Sequence, residues 1–527
     1  MPAAGKHFSF SLSRAFFCLF IFKAMKTLSA LCLVLALSVP AMIFGDEPGK
    51  IIFPEPQKVE RITDASGKAE LAGAPRTLRF VEDKRCGDEG YRLEVTPEAV
   101  IVSHATEAGK FYALQSLLQL KSHYGEALPA LRIEDAPALR WRGLHLDVSR
   151  HFFSTDEVKK LIDTMAFYKL NRLHFHLTDG PGWRIEIKKY PRLTQIGAWR
   201  VDKTDREWNW RATEIPLSEE TRKLYGGFYT QDEIRDLVRF AEERHVTIVP
   251  EIEMPGHSFA AMMAYPELAC AGNNVPVDGL RGKDMVCVGK PTTTQFFIDV
   301  LSEVADLFPH SPIHVGGDEV WHQCWLDCPD CRARMKRENL KDSEALQTAF
   351  MRDIIAFLKK QKREVVAWDE IFEGGLSDAQ VATMVWRAPE LGYRAAEQGP
   401  VILCPGEWLY FDMYQGKPAG EPLAIGGFIP LEKVYTFNPF PANLSEKARK
   451  NILGIQANLW TEYMTTMEHV EYMLFPRAFA LIDIAWHGKP RDYNRLLEQI
   501  RLQLPALKAR KCNFRPIAAS ATKELRD

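Results

Sequence analysis

The chain lacks any bias of charge: 67 Lys and Arg against 69 Asp and Glu leave a formal net charge of −2, and no long run of like charges disturbs that balance. Nucleic-acid binders concentrate positive charge on one face or tail, so no nucleic-acid partner is expected; a neutral, polar or small anionic substrate fits better. The one candidate membrane anchor, the second apolar run at the N-terminus, is short for a span and lacks a charged stop-transfer flank, so no integral span is expected in the mature protein. Cysteine is sparse, ten in 527 residues, and only one Cys-x-x-Cys spacing occurs, Cys328-Pro329-Asp330-Cys331. The missing second pair counts against a zinc ribbon. What is present, 46% hydrophobic and 26% charged residues, is ample for a large core and more than one domain.

Two apolar runs open the chain, Phe16 to Phe22 and Leu28 to Phe44, separated by Lys23-Ala24-Met25-Lys26. Read from Met25, the segment has a basic start, an apolar stretch from Leu28 to Val39 and small cleavage candidates at Ala41 and Gly45, the pattern of an export signal. Residues 1–45 are therefore read as a signal region with its true start at Met25, and the product as periplasmic or secreted. Cys18 and Cys32 fall in this leader, and export permits disulfides among the remaining eight. Cys270 and Cys287 bracket a Gly/Asn-rich loop and are the preferred pair. Cys324, Cys328 and Cys331 admit a disulfide such as Cys328–Cys331, free thiols, or a metal site completed by a ligand such as His322; the disulfide is favoured.

A boundary falls near residue 140. Residues 46–139 hold short strands, Thr77 to Val81 and Tyr91 to Val95, and a helix from Ala105 to His123, and read as a small α/β domain. After Pro137, buried strands alternate with amphipathic helices. The strand candidates are Gly143–Val148, Arg172–Leu177, Val246–Glu251, Ile313–Val315, Val365–Trp368, Thr383–Trp386, Val401–Leu403 and Gly454–Leu459. Helices are expected at Asp156–Leu170, Gln231–Arg244, Thr293–Leu307, Glu344–Lys360 and His469–Trp486. About eight strands alternating with helices is the pattern of a (β/α)8 TIM barrel, here preceded by a small α+β domain. The barrel is assigned to 140–490, and 491–527 to a helical tail packed on it.

Such a barrel should carry its functional side chains just beyond the strand ends. Asp318-Glu319, closing Ile313-His314-Val315-Gly316-Gly317, is the clearest case. Adjacent carboxylates repel, so one of them can hold a proton near neutral pH. They cannot flank a sugar ring from opposite faces, because neighbouring Cα atoms are only about 3.8 Å apart. A glycosidase built on this pair needs a nucleophile from elsewhere; the plainer alternative is that Asp318 caps a helix. Strand ends also supply Asp147 to Arg150, Asp179, Glu251 to His257, Trp368-Asp369-Glu370, Trp386-Arg387, Trp408 to Asp412 and Trp460 to Glu462. Each polar residue alone has a structural explanation in capping, and each Trp in core packing. Together, indole walls interleaved with carboxylates suit a sugar.

These residues resemble glycoside hydrolase family 20, the β-N-acetylhexosaminidases. The resemblance rests on His314-Val315-Gly316-Gly317-Asp318-Glu319, the run from Trp141 to Phe152, His174 to Asp179 followed by Gly182 to Ile187, and Pro250 to His257. It implies an exo-acting retaining hydrolase of terminal β-linked N-acetylhexosamine in which the substrate's acetamide oxygen is the nucleophile and an oxazolinium forms, with no cofactor and no metal. Glu319 becomes the general acid/base and Asp318 the acceptor of the acetamide N–H. Tyr410 would hold the acetamide oxygen, Trp368, Trp386 and Trp460 would wall the pocket, and Arg142, Asp412 and Glu462 would clamp ring hydroxyls. Asp179 and His257 match a pair that tunes the acid. Where the family usually has Asp-Asp-Gln-Gly-Trp, this chain reads Asp179-Gly180-Pro181-Gly182-Trp183, one carboxylate short. The leaving group, whether chitin fragment, peptidoglycan piece or host glycan, depends on loops such as Val201–Gly227 and Cys270–Gly289. Two rivals remain: a metal-dependent hydrolase built from His174, His176, His257 and Asp318, and a non-catalytic glycan-binding barrel.

Overall fold

Strands that are apolar on both faces must be covered on both, and this chain achieves that by closing them into a barrel. The computed structural model describes residues 47–63, 71–73, 77–201, 224–270 and 284–517. Strands β1 (Trp141–Asp147), β2 (Arg172–His176), β3 (Thr247–Glu251), β4 (Ile313–His314), β5 (Val365–Trp368), β6 (Val381–Val385), β7 (Val401–Leu403) and β8 (Ile452–Leu459) pair in parallel in chain order and close on one another. Alternate residues point inward. Trp141, Val249, Val366, Met384 and Ile402 fill the lower interior, and His145, His174, His176, Glu251, His314 and Gln456 occupy its upper layers, all buried. The proposed signal region and most of the loops 201–227 and 270–289 lie outside the described residues. Among the described residues, no helix is long and apolar enough to cross a membrane.

The helices return each strand to the next along the outside. Ser154 and Glu157 form a reciprocal cap on the helix Thr155–Phe167, and Thr230 and Glu233 do the same for Gln231–Glu242, each cap contributing about 1 kcal/mol. The single helix expected over His469–Trp486 is two, Met467–Leu474 and Arg477–His487. Pro476 is the reason: it has no N–H to continue the first helix and sits where the second begins.

The small domain is a five-stranded sheet covered on one face by the helix Glu107–Tyr124. Tyr91, Leu93 and Val95 point into that layer and meet Tyr112, Leu117 and Leu120. Its contact with the barrel overturns one expectation. Arg142, expected to grip sugar hydroxyls, lies at the start of β1, at the amino end of the barrel. It donates to Glu89 (2.7 and 3.1 Å), Tyr112 (2.9 Å) and the carbonyls of Leu139 and Lys169 (2.7 and 2.9 Å). A strand's length separates it from the functional face, so it joins domains instead of binding substrate. The helix Tyr493–Ala509 packs alongside, with Gln503 donating to the Ile51 carbonyl at 2.8 Å.

The expected disulfides also give way. Cys270, Cys287, Cys328 and Cys331 form no S–S bond, with Sγ separations of 3.6 Å for Cys287–Cys328, 3.7 Å for Cys287–Cys331 and 3.9 Å for Cys270–Cys331. No pair approaches the roughly 2.05 Å of a bond, because the loops bring all four together instead of in twos. His322 is turned to Gln347 (2.8 Å) and stacks on Trp325.

Candidate active site

The loop after β4 is built around a close approach. A side chain at Gly316 would place its Cβ 1.9 Å from Glu253 Oε1, and the same oxygen accepts the Gly317 N–H at 3.0 Å. Gly316 and Gly317 have φ of 64° and 105°, and the chain then carries Glu319 at φ 49°, a left-handed conformation that costs a non-glycine residue about 1–2 kcal/mol. His257, at φ 48° after Pro255-Gly256, is held in the same region. Both residues spend backbone energy to face each other.

His257 is the hub of the charged network. Its Nε2 lies 3.5 Å from Glu319 Oε2 and 3.7 Å from Asp318 Oδ2, and its Nδ1 lies 3.3 Å from Asp179 Oδ1. Burial opposes charge on this ring, but Asp179, Glu319 and Asp318 outweigh it and hold the imidazole well above its ordinary pKa. Asp179 is fixed in turn by Arg150 (2.7 Å) and by His176 Nε2 (3.0 Å). Burial pushes the Asp179 carboxyl up, and Arg150 with His257 more than reverse that, so it stays ionised. His176 passes its other nitrogen to Glu251, whose carboxylate also takes His174 (3.0 Å) and His314 (2.9 Å). Among the described residues, His174 and His176 converge with Glu251, in the groups of His145, His174 and Glu251 and of His176, Glu251 and Glu253, and not with His257 and Asp318 as the metal reading expected.

The two adjacent carboxylates part company. Burial, together with Glu251 and Glu319, lifts Asp318 to about 6, with His257 opposing. Glu319, whose side chain is 61% exposed, is instead lowered, first by its hydrogen bond to His257. The group with the raised pKa in this pair is thus Asp318, and the transferable proton beside Glu319 resides on His257. Asp318 Oδ1 is buried without a hydrogen-bond partner. Glu370 stands close enough that burial and then Asp318 push it up to about 9. Glu253, buried beneath the loop, is raised for the same two reasons.

Aromatic rings stand around this pair. Trp386 and Tyr410 are stacked at 6.4 Å, and Trp460 lies 6.2 Å from Tyr410 and 6.0 Å from Trp368. Trp368 is the floor, packed on His314 at 4.7 Å, with its indole N–H unpartnered. Asp412 Oδ1 and Glu462 Oε2 are buried and unpartnered as well. Burial and then Glu462 hold Asp412 well above its ordinary pKa, while Arg150, 3.9 Å from Glu462, faces both across the opening and lies 5.1 Å from the Trp460 ring. Leaving such atoms unbonded costs about 1–3 kcal/mol each, so their convergence on one opening marks a site shaped for a polyhydroxylated ligand. The structure therefore gathers Asp179, His257, Asp318, Glu319, Trp368, Trp386, Tyr410, Asp412, Trp460 and Glu462, and leaves Arg142 out. Arg150 is the cation that sequence reasoning failed to single out, although its position after β1 was the available signal. Glu253 and Glu370 stood among the strand-end residues without an assigned role, because their importance comes from nearness to Asp318 in space.

The family model for the glycosyl hydrolase family 20 catalytic domain matches residues 139–489, and that for domain 2 of the same family matches 57–136. The chain is 40% identical over 442 residues to a beta-hexosaminidase of Porphyromonas gingivalis, covering 81% of this chain and 54% of that protein. It is 38% identical over 404 residues to a beta-hexosaminidase of Vibrio furnissii, covering 75% of this chain and 65% of that one. It thus spans between half and two thirds of the length of these relatives. A GH20 exo β-N-acetylglucosaminidase from Vibrio harveyi, solved in complex with N-acetylglucosamine, superposes with a TM-score of 0.78 at 30% identity, covering 91% of this chain and 80% of that one.

Proposed function

Because the chain belongs to glycosyl hydrolase family 20, we propose that it is an exo-acting, retaining β-N-acetylhexosaminidase that releases terminal β-linked N-acetylglucosamine or N-acetylgalactosamine through an oxazolinium intermediate. The observation that carries this reading is Asp318 Oδ1, a buried acceptor with no partner, next to Glu319 and within an aromatic enclosure. An acetamide N–H satisfies that acceptor, and its methyl group suits the indole walls.

In the first step the acetamide oxygen attacks the anomeric carbon while the glycosidic C–O bond breaks, and Glu319 gives its proton to the leaving oxygen. That proton comes from His257. A sugar covering the exposed Glu319 removes water from the carboxylate and favours its neutral form, drawing the proton across from the imidazolium. Ionised Asp318 balances the positive charge that develops on the acetamide nitrogen, in a pocket from which bulk water is excluded. In the second step Glu319 takes a proton from water as the water oxygen attacks the anomeric carbon and reopens the ring. Two inversions give net retention. Arg150, Asp412 and Glu462 bind the ring hydroxyls and fix a terminal residue.

The test is hydrolysis of 4-nitrophenyl N-acetyl-β-glucosaminide beside the matching β-glucoside with chelator present. Turnover of the acetamido sugar alone supports participation by the acetamide; comparable turnover of both means a protein nucleophile and overturns the mechanism. The same reading places the enzyme outside the cytoplasm, on the strength of the leader-like segment from Met25. Cell fractionation with an antibody to the protein tests that, and retention in the cytoplasm overturns it.

A further inference from the structure

Four buried cysteines from three chain segments meet away from the sugar site. Cys270 lies beyond the helix Phe259–Ala264 that follows His257, Cys287 follows Asp284-Met285-Val286, and Cys328 and Cys331 flank the start of the helix Pro329–Glu338. Their sulfurs all lie within 4.8 Å of one another, with three of the pairs at 3.6, 3.7 and 3.9 Å. Zinc–sulfur bonds of about 2.3 Å directed to the corners of a tetrahedron put the sulfurs roughly 3.8 Å apart. A disulfide brings them to about 2.05 Å. The arrangement matches the first distance and not the second.

The backbone around the sulfurs is tightly held. A Cβ at Gly289 would fall 2.3 Å from the Asp330 carbonyl carbon and the Cys331 nitrogen, so these two ligand-bearing backbones touch with no room for a side chain. The Cys287 N–H donates to the Leu268 carbonyl at 2.7 Å, tying in the Cys270 segment. Lys290 Nζ grips the carbonyls of Glu267 and Ala269 (2.9 and 2.8 Å), and Arg334 grips that of Val288 (2.8 Å). Two cations thus pin the backbone on both sides of the sulfurs and hold the four side chains in one place.

We propose that Cys270, Cys287, Cys328 and Cys331 bind one zinc ion as a closed structural tetrathiolate that fastens the loop carrying His257 to the loop carrying Asp318 and Glu319. Binding replaces four S–H bonds by four zinc–sulfur bonds and releases four protons. No position is left for water, so the ion takes no part in the hydrolysis. Its reach to the active site runs through short links: Val286 N to the Pro255 carbonyl (3.0 Å), Met285 Sδ accepting from Trp321 N (2.8 Å), and Trp325 Nε1 to the Val286 carbonyl (2.9 Å).

The experiment is elemental analysis of the full chain as its host processes it, purified without chelator or added metal, with thiol counting and intact mass on the same sample. The expected result is one zinc per chain, with the four thiols unreactive until a mercurial releases the metal. Cobalt loaded in place of zinc should show intense thiolate charge transfer. Cys331→Ser and Cys287→Ser should lose most of the zinc, and Cys512→Ser, at a buried cysteine outside the cluster, should keep it. Substoichiometric metal with free thiols overturns the proposal, as does a mass deficit from disulfides among these four. Should the Ser variants fail to fold, the metal content and cobalt spectrum of the unmodified protein decide the matter.

Discussion

His257 Nε2 stands 3.5 Å from Glu319 Oε2, on a ring whose other nitrogen faces Asp179 at 3.3 Å. The imidazole is a proton store with its pKa raised well above the ordinary value, and the carboxylate it serves is lowered by the same contact. The pair carries one transferable proton up to the pH at which His257 releases it, so the alkaline limb of kcat should lie above the usual histidine range. In His257→Gln the proton must sit on Glu319 alone. The limb is then expected to fall by at least about one pH unit, with kcat at neutral pH down about 100-fold. A pH–rate profile of both proteins checks this; an unmoved limb would mean that His257 stores no proton for the reaction.

Asp318 must be ionised to accept an acetamide N–H, and its carboxyl titrates at about 6 because it is buried near Glu251 and Glu319. Activity should therefore decline as the pH drops through about 6. A carboxyl raised above its unfolded value favours folding in its protonated form, so stability is present below the unfolded pKa and is lost as the pH rises through the folded one. Asp318→Asn removes that penalty. At pH 7 the variant should be more stable by about 1–3 kcal/mol and slower in kcat by about 100-fold or more, with the acidic limb gone. Denaturant melts and pH–rate profiles read the two effects separately, and a destabilised variant would contradict the account of Asp318 as a strained, functional charge.

Much of this arrangement was legible because the barrel repeats one rule. Inward residues alternate along each strand, and a side chain just past a strand's end faces the site; hence Asp318, Trp368 and Trp460 were found where the sequence placed them. The same rule selects Arg150 over Arg142, which lies at the start of its strand, but the local motif contains both arginines and does not separate them. Proximity in sequence misled more seriously at the cysteines. Cys328 and Cys331 are close along the chain, yet Cys287 arrives at both from a distant segment. Adjacent carboxylates are predicted to repel; which of the two yields depends on exposure and on His257, neither of which the sequence displays.

The two arginines offer a direct contrast. Arg150→Lys keeps the charge and loses the planar fork that serves Asp179, Glu462 and substrate together; kcat/KM is expected to fall about 10- to 100-fold. Arg142→Met leaves Glu89 without its ion partner in the domain junction, which should cost about 3 kcal/mol of stability while kcat/KM in the folded protein changes less than about threefold. Steady-state kinetics beside thermal melts distinguish them, and a specific loss of substrate affinity in Arg142→Met would restore that residue to the site.

The carboxylate that this chain lacks at Gly180 has a neighbour in space. A Cβ at Gly180 would lie 3.7 Å from Asp284 Oδ2, and that oxygen is 3.9 Å from His257 Nδ1. Burial raises the Asp284 carboxyl and the His257 imidazolium draws it back down, so each group steadies the other's charge. Asp284→Asn should lower the pKa of His257 and bring the alkaline limb of kcat down by about half a pH unit or more, while kcat at the optimum stays within about threefold. Asp179, in direct contact with His257 and Arg150, keeps the imidazole oriented in the variant, so a shifted limb with a preserved maximum is the signature of Asp284 acting through charge. A collapse of kcat at every pH would show instead that Asp284 holds the loop in shape.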